Sequence, residues 1–186
     1  MEIIILRHGK PNIPPLTRIS PFAFTKWVNS YNASGLCSSS KPTLEAIEIA
    51  NKSKVVVCSE LPRSIQSATA LNVKEITLKS QLFNEAGLPI SSLKYPWLSP
   101  KVWAVIFRTL WLLGYSNNSE SFKEAKVRAA KAAKKLIELA ELESCVLFVG
   151  HGVYNRMIAN ELNASGWSGP KSPGTKHWSY GVYKST

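Results

Sequence analysis

Residues 1–9 read Met-Glu-Ile-Ile-Ile-Leu-Arg-His-Gly, and this stretch decides the fold. Its unbroken apolar run, rich in β-branched side chains, predicts a short strand that is buried on both faces, as in parallel sheets. The run ends in Arg7 and His8, and Gly9 then allows a turn. In parallel α/β sheets, ligands bind outside the carboxyl ends of the strands. We therefore expect Arg7 and His8 to lie at a ligand-binding edge.

Two later apolar runs end in a similar way. Val55–Cys58 is followed shortly by Arg63, and Cys145–Val149 is followed after one glycine by His151. Because the carboxyl ends of parallel strands share one edge of a sheet, we expect Arg63 and His151 to lie near the end of the first strand. Helices that begin at such an edge present backbone N–H groups that favour anions. The pattern predicts an anion-binding site.

Amphipathic helical patterns separate the apolar runs, with apolar residues three and four positions apart. They cover Leu44–Lys54, Ser64–Asn72, Ser121–Glu143 and Val153–Leu162. Buried strands that alternate with such helices predict an α/β three-layer sandwich, in which a mainly parallel central sheet carries helices on both faces. The weak alternation of Trp178–Tyr183 predicts an additional, antiparallel edge strand.

The length of 186 residues and the absence of repeats predict a single domain over residues 1–186. Residues 10–42 are rich in Pro and Ser, and we expect them to form a loop over the active face. Residues 88–118 are rich in aromatic side chains, and we expect a helical insertion there. Such aromatic side chains more often pack in a core than line a ligand site.

Composition restricts the partners. The formal net charge is +11, since 23 Lys and Arg residues stand against 12 acidic residues. This excess favours anionic partners, and we expect a small phosphorylated substrate. The lysines are scattered and form no tract, so we expect no stable binding of nucleic acid. The sequence does not indicate an oligomeric state.

All 12 acidic residues are Glu, because the sequence contains no Asp. Phosphatases with an Asp nucleophile, and enzymes with Asp-rich metal clusters, would therefore lack their usual groups. The three His residues form no close cluster with Cys or Glu along the chain. We expect no metal site and no cofactor.

The strongest membrane candidate, Val102–Tyr115, is too short to span a bilayer and is interrupted by Arg108, so we expect no membrane partner. The apolar segment at the start of the chain is too short for a signal peptide. We therefore expect a cytoplasmic protein.

The Cys58 thiol is a candidate nucleophile, since Arg63 follows it as in the phosphate loop of cysteine-dependent phosphatases. That loop needs five residues between Cys and Arg, whereas four stand here. One of them is Pro62, which has no N–H for a phosphate, and no glycine eases the turn. The sequence therefore disfavours Cys58 as a nucleophile.

Taken in order, the strand ends resemble the conserved blocks of the histidine phosphatase (phosphoglycerate mutase-like) superfamily. The similar blocks are Arg7-His8-Gly9, Ser59–Ala68 with Arg63, Glu120-Ser121 with Arg128, and Gly150-His151-Gly152 with Arg156. They occur in the family's order and extend from Met1 to about Glu161. The resemblance is to a phosphatase-type member.

The resemblance implies hydrolysis of a phosphomonoester through a phosphohistidine, without a metal ion or an organic cofactor. It implies that His8 is the phosphoryl acceptor, that Arg7 and Arg63 bind the phosphate, and that His151 donates a hydrogen bond to it. These roles agree with the chemistry of imidazole nucleophiles and guanidinium groups. The family's general acid, a Glu midway along the chain, is matched by Glu85.

Some alternatives stay open. Glu60 is a second candidate for the general acid. Family members often have Thr and Asn soon after the first Gly, and Asn12 is only an approximate counterpart of that phosphate-binding Asn. A phosphomutase of the same superfamily and a non-catalytic phosphate- or nucleic-acid-binding protein are the alternative functions.

Overall fold

The computed structural model describes residues 1–13 and 17–185. The strands are β1 (Glu2–Arg7), β2 (Val55–Cys58), β3 (Leu78–Lys79), β4 (Cys145–Gly150), β5 (Trp167–Ser168) and β6 (Tyr180–Ser185). The helices are α1 (Pro21–Ala33), α2 (Leu44–Asn51), α3 (Pro62–Ala70), α4 (Pro100–Leu112), α5 (Phe122–Glu143) and α6 (Gly152–Ala164).

The strands form one sheet in the order β3-β2-β4-β1-β6-β5. The first three pairs in this order are parallel, whereas β6 is antiparallel to both β1 and β5. The predicted α/β class with a mainly parallel sheet is confirmed. The antiparallel strand predicted from the tail is β6, but it lies inside the sheet. The two-residue β5, which the sequence analysis did not predict, forms that edge.

The two faces of the sheet follow from alternation along β1. Ile4 and Leu6 belong to a buried cluster that includes Ala46 of α2 and Ala68 of α3. Their neighbours on β1 point to the opposite face because side chains alternate along a strand, and α6 packs against β1. Both faces are therefore covered, which explains why β1 is apolar at every interior position.

The four predicted helices are present with small differences at their ends. Ser121 and Glu124 form a capping box before α5. The Glu124 carboxylate accepts from the Ser121 N–H at 2.8 Å, and the Ser121 hydroxyl accepts from the Glu124 N–H at 3.2 Å. Helix α3 starts two residues earlier than predicted, at Pro62, since Pro suits the first helical position.

The prediction of a loop over residues 10–42 is wrong for Pro21–Ala33, which form α1. The Pro and Ser residues that suggested a loop instead begin this helix. Ser20 is its N-cap and accepts a hydrogen bond from the Ala23 N–H at 3.2 Å, and Pro21 occupies the first turn. Residues 14–16 of that stretch lie outside the described residues.

The chain divides into two compact units. The first contains the sheet and is built from residues 1–12, 35–85 and those from 128 onward, and the second contains residues 13–34 and 86–127. The predicted insertion at 88–118 falls within the second unit, and of its residues only Pro100–Leu112 are helical. That residues 1–186 make one domain stays a prediction.

The second unit has its own aromatic core. The Phe24 ring stacks on Phe107 with centroids 5.4 Å apart, and Trp103 packs beside Phe107 at 5.6 Å. These rings are buried as expected, but Tyr95 and Trp97 of the same insertion are exposed. Among the described helices, α4 included, none is long and apolar enough to cross a membrane.

Asn155 joins α6 to β1. This buried side chain donates to the Leu6 carbonyl at 3.1 Å, and its Oδ1 atom accepts from the His151 N–H at 2.7 Å. Both backbone groups are out of reach of water, so each needs a protein partner. Asn155 therefore fixes the start of α6 relative to the end of β1.

Replacing Asn155 by Ala should lower the free energy of unfolding by about 2–4 kcal/mol, because two buried backbone groups lose their partner. Urea unfolding measures the change. Asn163→Ala on the same helix is the matched control, since the Asn163 amide lies 3.5 Å from the Pro170 carbonyl. Its effect should stay below about 1 kcal/mol. Equal losses in both variants would contradict this role of Asn155.

Candidate active site

The register of β1 and β4 brings two of the predicted residues together. Arg7 pairs with Gly150 in the parallel ladder, and the His8 N–H donates to the Gly150 carbonyl at 3.0 Å. The residues that follow each strand therefore leave the sheet side by side. The ring centroids of His8 and His151 lie 5.0 Å apart.

The His8 ring is buried and held in one tautomer. Its Nδ1 atom lies 2.6 Å from the Gly9 carbonyl oxygen, which can only accept, so Nδ1 carries the hydrogen. The lone pair of the neutral ring is then on Nε2. Burial, followed by the Arg63 charge, lowers the pKa of His8 to about 3. His8 is therefore a neutral imidazole near pH 7.

His151 is the N-cap residue of α6, and its side chain is fully buried. Its Nε2 atom lies 2.6 Å from the Ser59 hydroxyl, which already accepts from the Leu61 N–H at 3.2 Å. The Ser59 hydroxyl can donate to Nε2, and in that arrangement the ring hydrogen lies on Nδ1. Nδ1 is buried and has no partner among the described residues. Burial, and then the charges of His8 and Arg63, lower the pKa of His151 well below its usual value.

Arg7 extends past the end of β1 toward the start of α6. Its Nη1 group donates to the Thr175 carbonyl, while Nε is buried without a partner among the described residues. A Cβ atom on Gly152 would lie 3.2 Å from the Arg7 Cζ atom, so a glycine is needed where the guanidinium passes the helix. Arg7 therefore presents an unused donor beside the two imidazoles.

Arg63 is buried as deeply as the histidines, with 1% of its surface exposed. It stands at the second position of α3, directly after the carboxyl end of β2. Its positive charge contributes to the lowered pKa of both His8 and His151, so it lies electrostatically close to both rings. The predicted meeting of Arg7, His8, Arg63 and His151 is therefore what the structure shows.

Glu85 lies at the same helix start. Its carboxylate accepts from the N–H groups of Tyr154 at 3.0 Å and Val153 at 3.3 Å. From the sequence we expected the N–H groups at this edge to bind an anion from solution. At α6 two of them are instead occupied by this carboxylate, because a helix N-terminus stabilises a negative side chain.

Glu60 and Asn12 are placed differently. Both are exposed, and no contact among the described residues joins either side chain to the histidines. The backbone N–H of Glu60 donates to the Asn84 side chain at 3.1 Å, and that of Asn12 donates to the Gly35 carbonyl at 2.8 Å. A phosphate-binding role for Asn12 stays a prediction.

Several site residues were missed by the sequence analysis. His177 lies beside His8, with its Nδ1 atom 3.0 Å from the His8 carbonyl. The Ser59 hydroxyl is hydrogen-bonded to His151 Nε2, and the Ser67 hydroxyl accepts from the Gly9 N–H at 2.9 Å. Ser59 lies inside the Ser59–Ala68 block, but no role was assigned to it from the sequence. His177 had no signal, because it is far from every motif in the sequence.

The rival nucleophile Cys58 belongs to the core of the sheet. Its side chain is fully buried against α2 and α3, and burial raises its pKa to about 11. A thiol with that pKa is protonated near pH 7 and is a poor nucleophile. Within the described residues, no three His, Cys or Glu side chains are grouped so as to hold a metal ion.

Comparison with known proteins identifies the fold. No family model matches the sequence, and no curated protein matches it. Solved structures do match it. A mycobacterial glucosyl-3-phosphoglycerate phosphatase is 15% identical, with 97% of this chain and 88% of that chain covered and a TM-score of 0.60. The alpha-ribazole phosphatase from Shigella flexneri is 16% identical, with 87% and 79% covered and a TM-score of 0.53.

A third match is the phosphoserine phosphatase from Entamoeba histolytica, studied in complex with phosphoserine. It is 16% identical, with 88% of this chain and 80% of that chain covered and a TM-score of 0.51. These neighbours are members of the histidine phosphatase family. At such low identity the likeness shows that this chain shares their fold.

The buried imidazoles should make stability depend on pH. In the unfolded chain His8 binds a proton below about pH 6.5, whereas in the folded protein it binds one only below about pH 3. The free energy of unfolding should therefore fall as the pH is lowered through this window, by up to about 1.4 kcal/mol per pH unit for one imidazole. Above this window His8 should contribute no slope.

Urea unfolding of the protein and of His8→Asn over this range tests this expectation. Asn can still donate to the Gly9 carbonyl but does not titrate, so its slope should be shallower by about one proton. Identical slopes for the two proteins would show that the folded protein does not hold His8 in its neutral form.

Proposed function

We propose that this protein hydrolyses phosphomonoesters through a phosphohistidine on His8, without a metal ion. The observation that carries the proposal is a neutral, buried imidazole with its Nε2 lone pair free, beside two buried nitrogens that lack partners, Arg7 Nε and His151 Nδ1. Unsatisfied buried donors are costly unless a ligand completes them, and a phosphoryl group offers the acceptors they need.

In the first step His8 Nε2 attacks phosphorus, and the bond from phosphorus to the alcohol oxygen breaks. Negative charge is spread over the phosphoryl oxygens, where Arg7 and Arg63 stabilise it. His151 donates through Nδ1. Fixed cations in a buried site can supply the charge stabilisation that other phosphatases obtain from metal ions. The lowered pKa of His8 leaves the nucleophile unprotonated even in mildly acidic solution.

The leaving alcohol needs a proton, and the attacking water must later lose one. Glu85 supplies the proton in the first step and accepts one from water in the second, when water attacks phosphorus and His8 leaves. Its carboxylate is positioned at the start of α6, next to the N-cap residue His151. Among the described residues, the exposed side chain of Glu60 makes no comparable contact with α6.

The structural neighbours support the reaction class. Glucosyl-3-phosphoglycerate phosphatase, alpha-ribazole phosphatase and phosphoserine phosphatase all bear the names of enzymes that cleave small phosphorylated compounds. We extend that class to this chain because the shared fold and the His8 geometry agree. The excess of positive charge is consistent with an anionic substrate.

His8→Asn should reduce turnover of p-nitrophenyl phosphate to background, since the acceptor nitrogen is lost. The assay is run with EDTA present, and the protein should remain active under those conditions. Cys58→Ser is the matched control and should keep nearly full activity, because the Cys58 thiol packs in the core. Protein quenched in alkali should carry a phosphoryl group that is stable in base and lost in acid, as expected of a phosphohistidine.

Loss of activity in Cys58→Ser with retention in His8→Asn would reverse the choice of nucleophile. Tight binding of phosphate esters without any turnover would instead favour the non-catalytic alternative. Transfer of the phosphoryl group to a second alcohol, in preference to water, would favour a phosphomutase.

Glu85→Gln should slow hydrolysis of an alkyl phosphate by about 100-fold or more, since a poor leaving group needs the acid. The loss with p-nitrophenyl phosphate should be smaller, because nitrophenolate leaves without protonation. Glu60→Gln is the matched control and should stay near the activity of the unchanged protein with both substrates. The two kcat values for each variant measure the effect. An equal loss for both leaving groups in Glu85→Gln would assign Glu85 a structural role only.

A further inference from the structure

The third histidine of the chain flanks the first. The ring centroids of His177 and His8 are 5.5 Å apart and the rings are tilted by 44°. His177 Nδ1 lies 3.0 Å from the His8 carbonyl, which only accepts, so Nδ1 carries the hydrogen. The neutral ring then has its lone pair on Nε2. A protonated ring would offer a donor at the same atom.

The segment that carries His177 is tied to the end of β1. The Trp178 N–H donates to the Arg7 carbonyl at 3.0 Å, and the Arg7 N–H donates to the Ser179 carbonyl at 2.9 Å. Trp178 lies against Gly9, where a Cβ atom would overlap the indole ring. Its φ of 67° lies in the left-handed region, which a bulky residue adopts only when its surroundings hold it there. His177 is therefore held in place on both sides.

The open side of His177 lines a cavity of about 480 Å³. Thr43 and Glu45 from the start of α2 line the same cavity, together with Lys176 and Tyr180. Because α2 leads into β2 and packs along the sheet, its first residues lie at the carboxyl edge, where His8 also lies. The lining surface is more apolar than polar and includes the charged groups of Glu45 and Lys176, as is usual for small-molecule sites.

Several charged groups face His177. Burial lowers its pKa below the usual value, and the nearby Arg7 and Lys10 charges add to this effect, while the hydrogen bond to the His8 carbonyl opposes it. Lys176 and Glu45 lie in the cavity, and the Glu45 carboxylate accepts from the Tyr180 hydroxyl at 2.6 Å. A dianion bound beside Arg7 would offset these positive charges and favour the protonated ring.

We propose that His177 is a third substrate-binding histidine, which contacts the phosphoryl group from the cavity side and takes up a proton from solvent as the dianion binds. The cavity beside His177 then receives the alcohol part of the substrate. This inference rests on the proposed phosphatase function. It goes further by assigning a contact and a proton.

Inorganic sulfate is the probe, because it is a dianion that does not itself titrate above about pH 3. The chain has three His residues, so their ring signals can be followed by NMR in the unchanged protein and assigned with single variants. The titration of His177 should shift upward by about one pH unit or more when sulfate is bound. The His8 and His151 signals should move on binding as well.

A second measurement uses His177→Asn. The Asn amide can still donate to the His8 carbonyl, but the group at the Nε2 position is lost. Sulfate affinity of the unchanged protein should weaken with rising pH, by up to about tenfold per unit for one proton taken up, and the variant should show a flatter dependence. Lys171→Gln, an exposed charge on the same segment, is the control and should keep the slope of the unchanged protein.

The outcomes separate the two proposals. Sulfate that moves the His8 and His151 signals but leaves the titration of His177 unchanged would overturn the role of His177 and leave the phosphate site intact. If no ring responds to sulfate, both proposals fail. If His177 responds as expected but p-nitrophenyl phosphate is not hydrolysed, the anion contact stands and the catalytic proposal fails.

Discussion

The parallel register of β1 against β4 is the constraint on which the site depends. It pairs Arg7 with Gly150, so the two histidines that follow the strands emerge next to each other. The interior of each strand is apolar because helices cover both faces of the sheet. A shift of the register by one residue would still bury apolar side chains of β1 on both faces, but it would move His8 away from His151.

The site also depends on the charge states of the side chains that this register brings together. Two imidazoles and two guanidinium groups lie together at the sheet edge, and the imidazoles resolve the electrostatic conflict by remaining neutral. Because it is neutral, the His8 ring keeps a lone pair on Nε2. On each neighbouring ring, the hydrogen-bond partner determines which nitrogen carries the hydrogen. The permanent charges of Arg7 and Arg63 act on these neutral rings, and an oxyanion bound beside Arg7 would offset them.

Local patterns in the sequence were enough to predict the class of the fold and four of the site residues. Apolar runs that end in Arg7-His8, before Arg63 and at His151 could be recognised because each strand end is a local feature. The position of Glu85 at the start of α6 was not predictable, since it depends on how a loop far along the chain returns to that helix. His177 was missed for the same reason. Helix α1 was mistaken for a loop because Pro and Ser also serve as cap and first-turn residues.

Strand β6 has a consequence for how the protein is made. It lies between β1 and β5, although it is the final strand in the chain order. Until Ser185 has left the ribosome, β1 has a partner on one side only and exposes an apolar edge to other chains. Strand β1 can therefore be enclosed on both sides only after synthesis has passed the segment that carries His177. The nascent chain would thus complete its sheet and place His177 beside His8 at the same late stage.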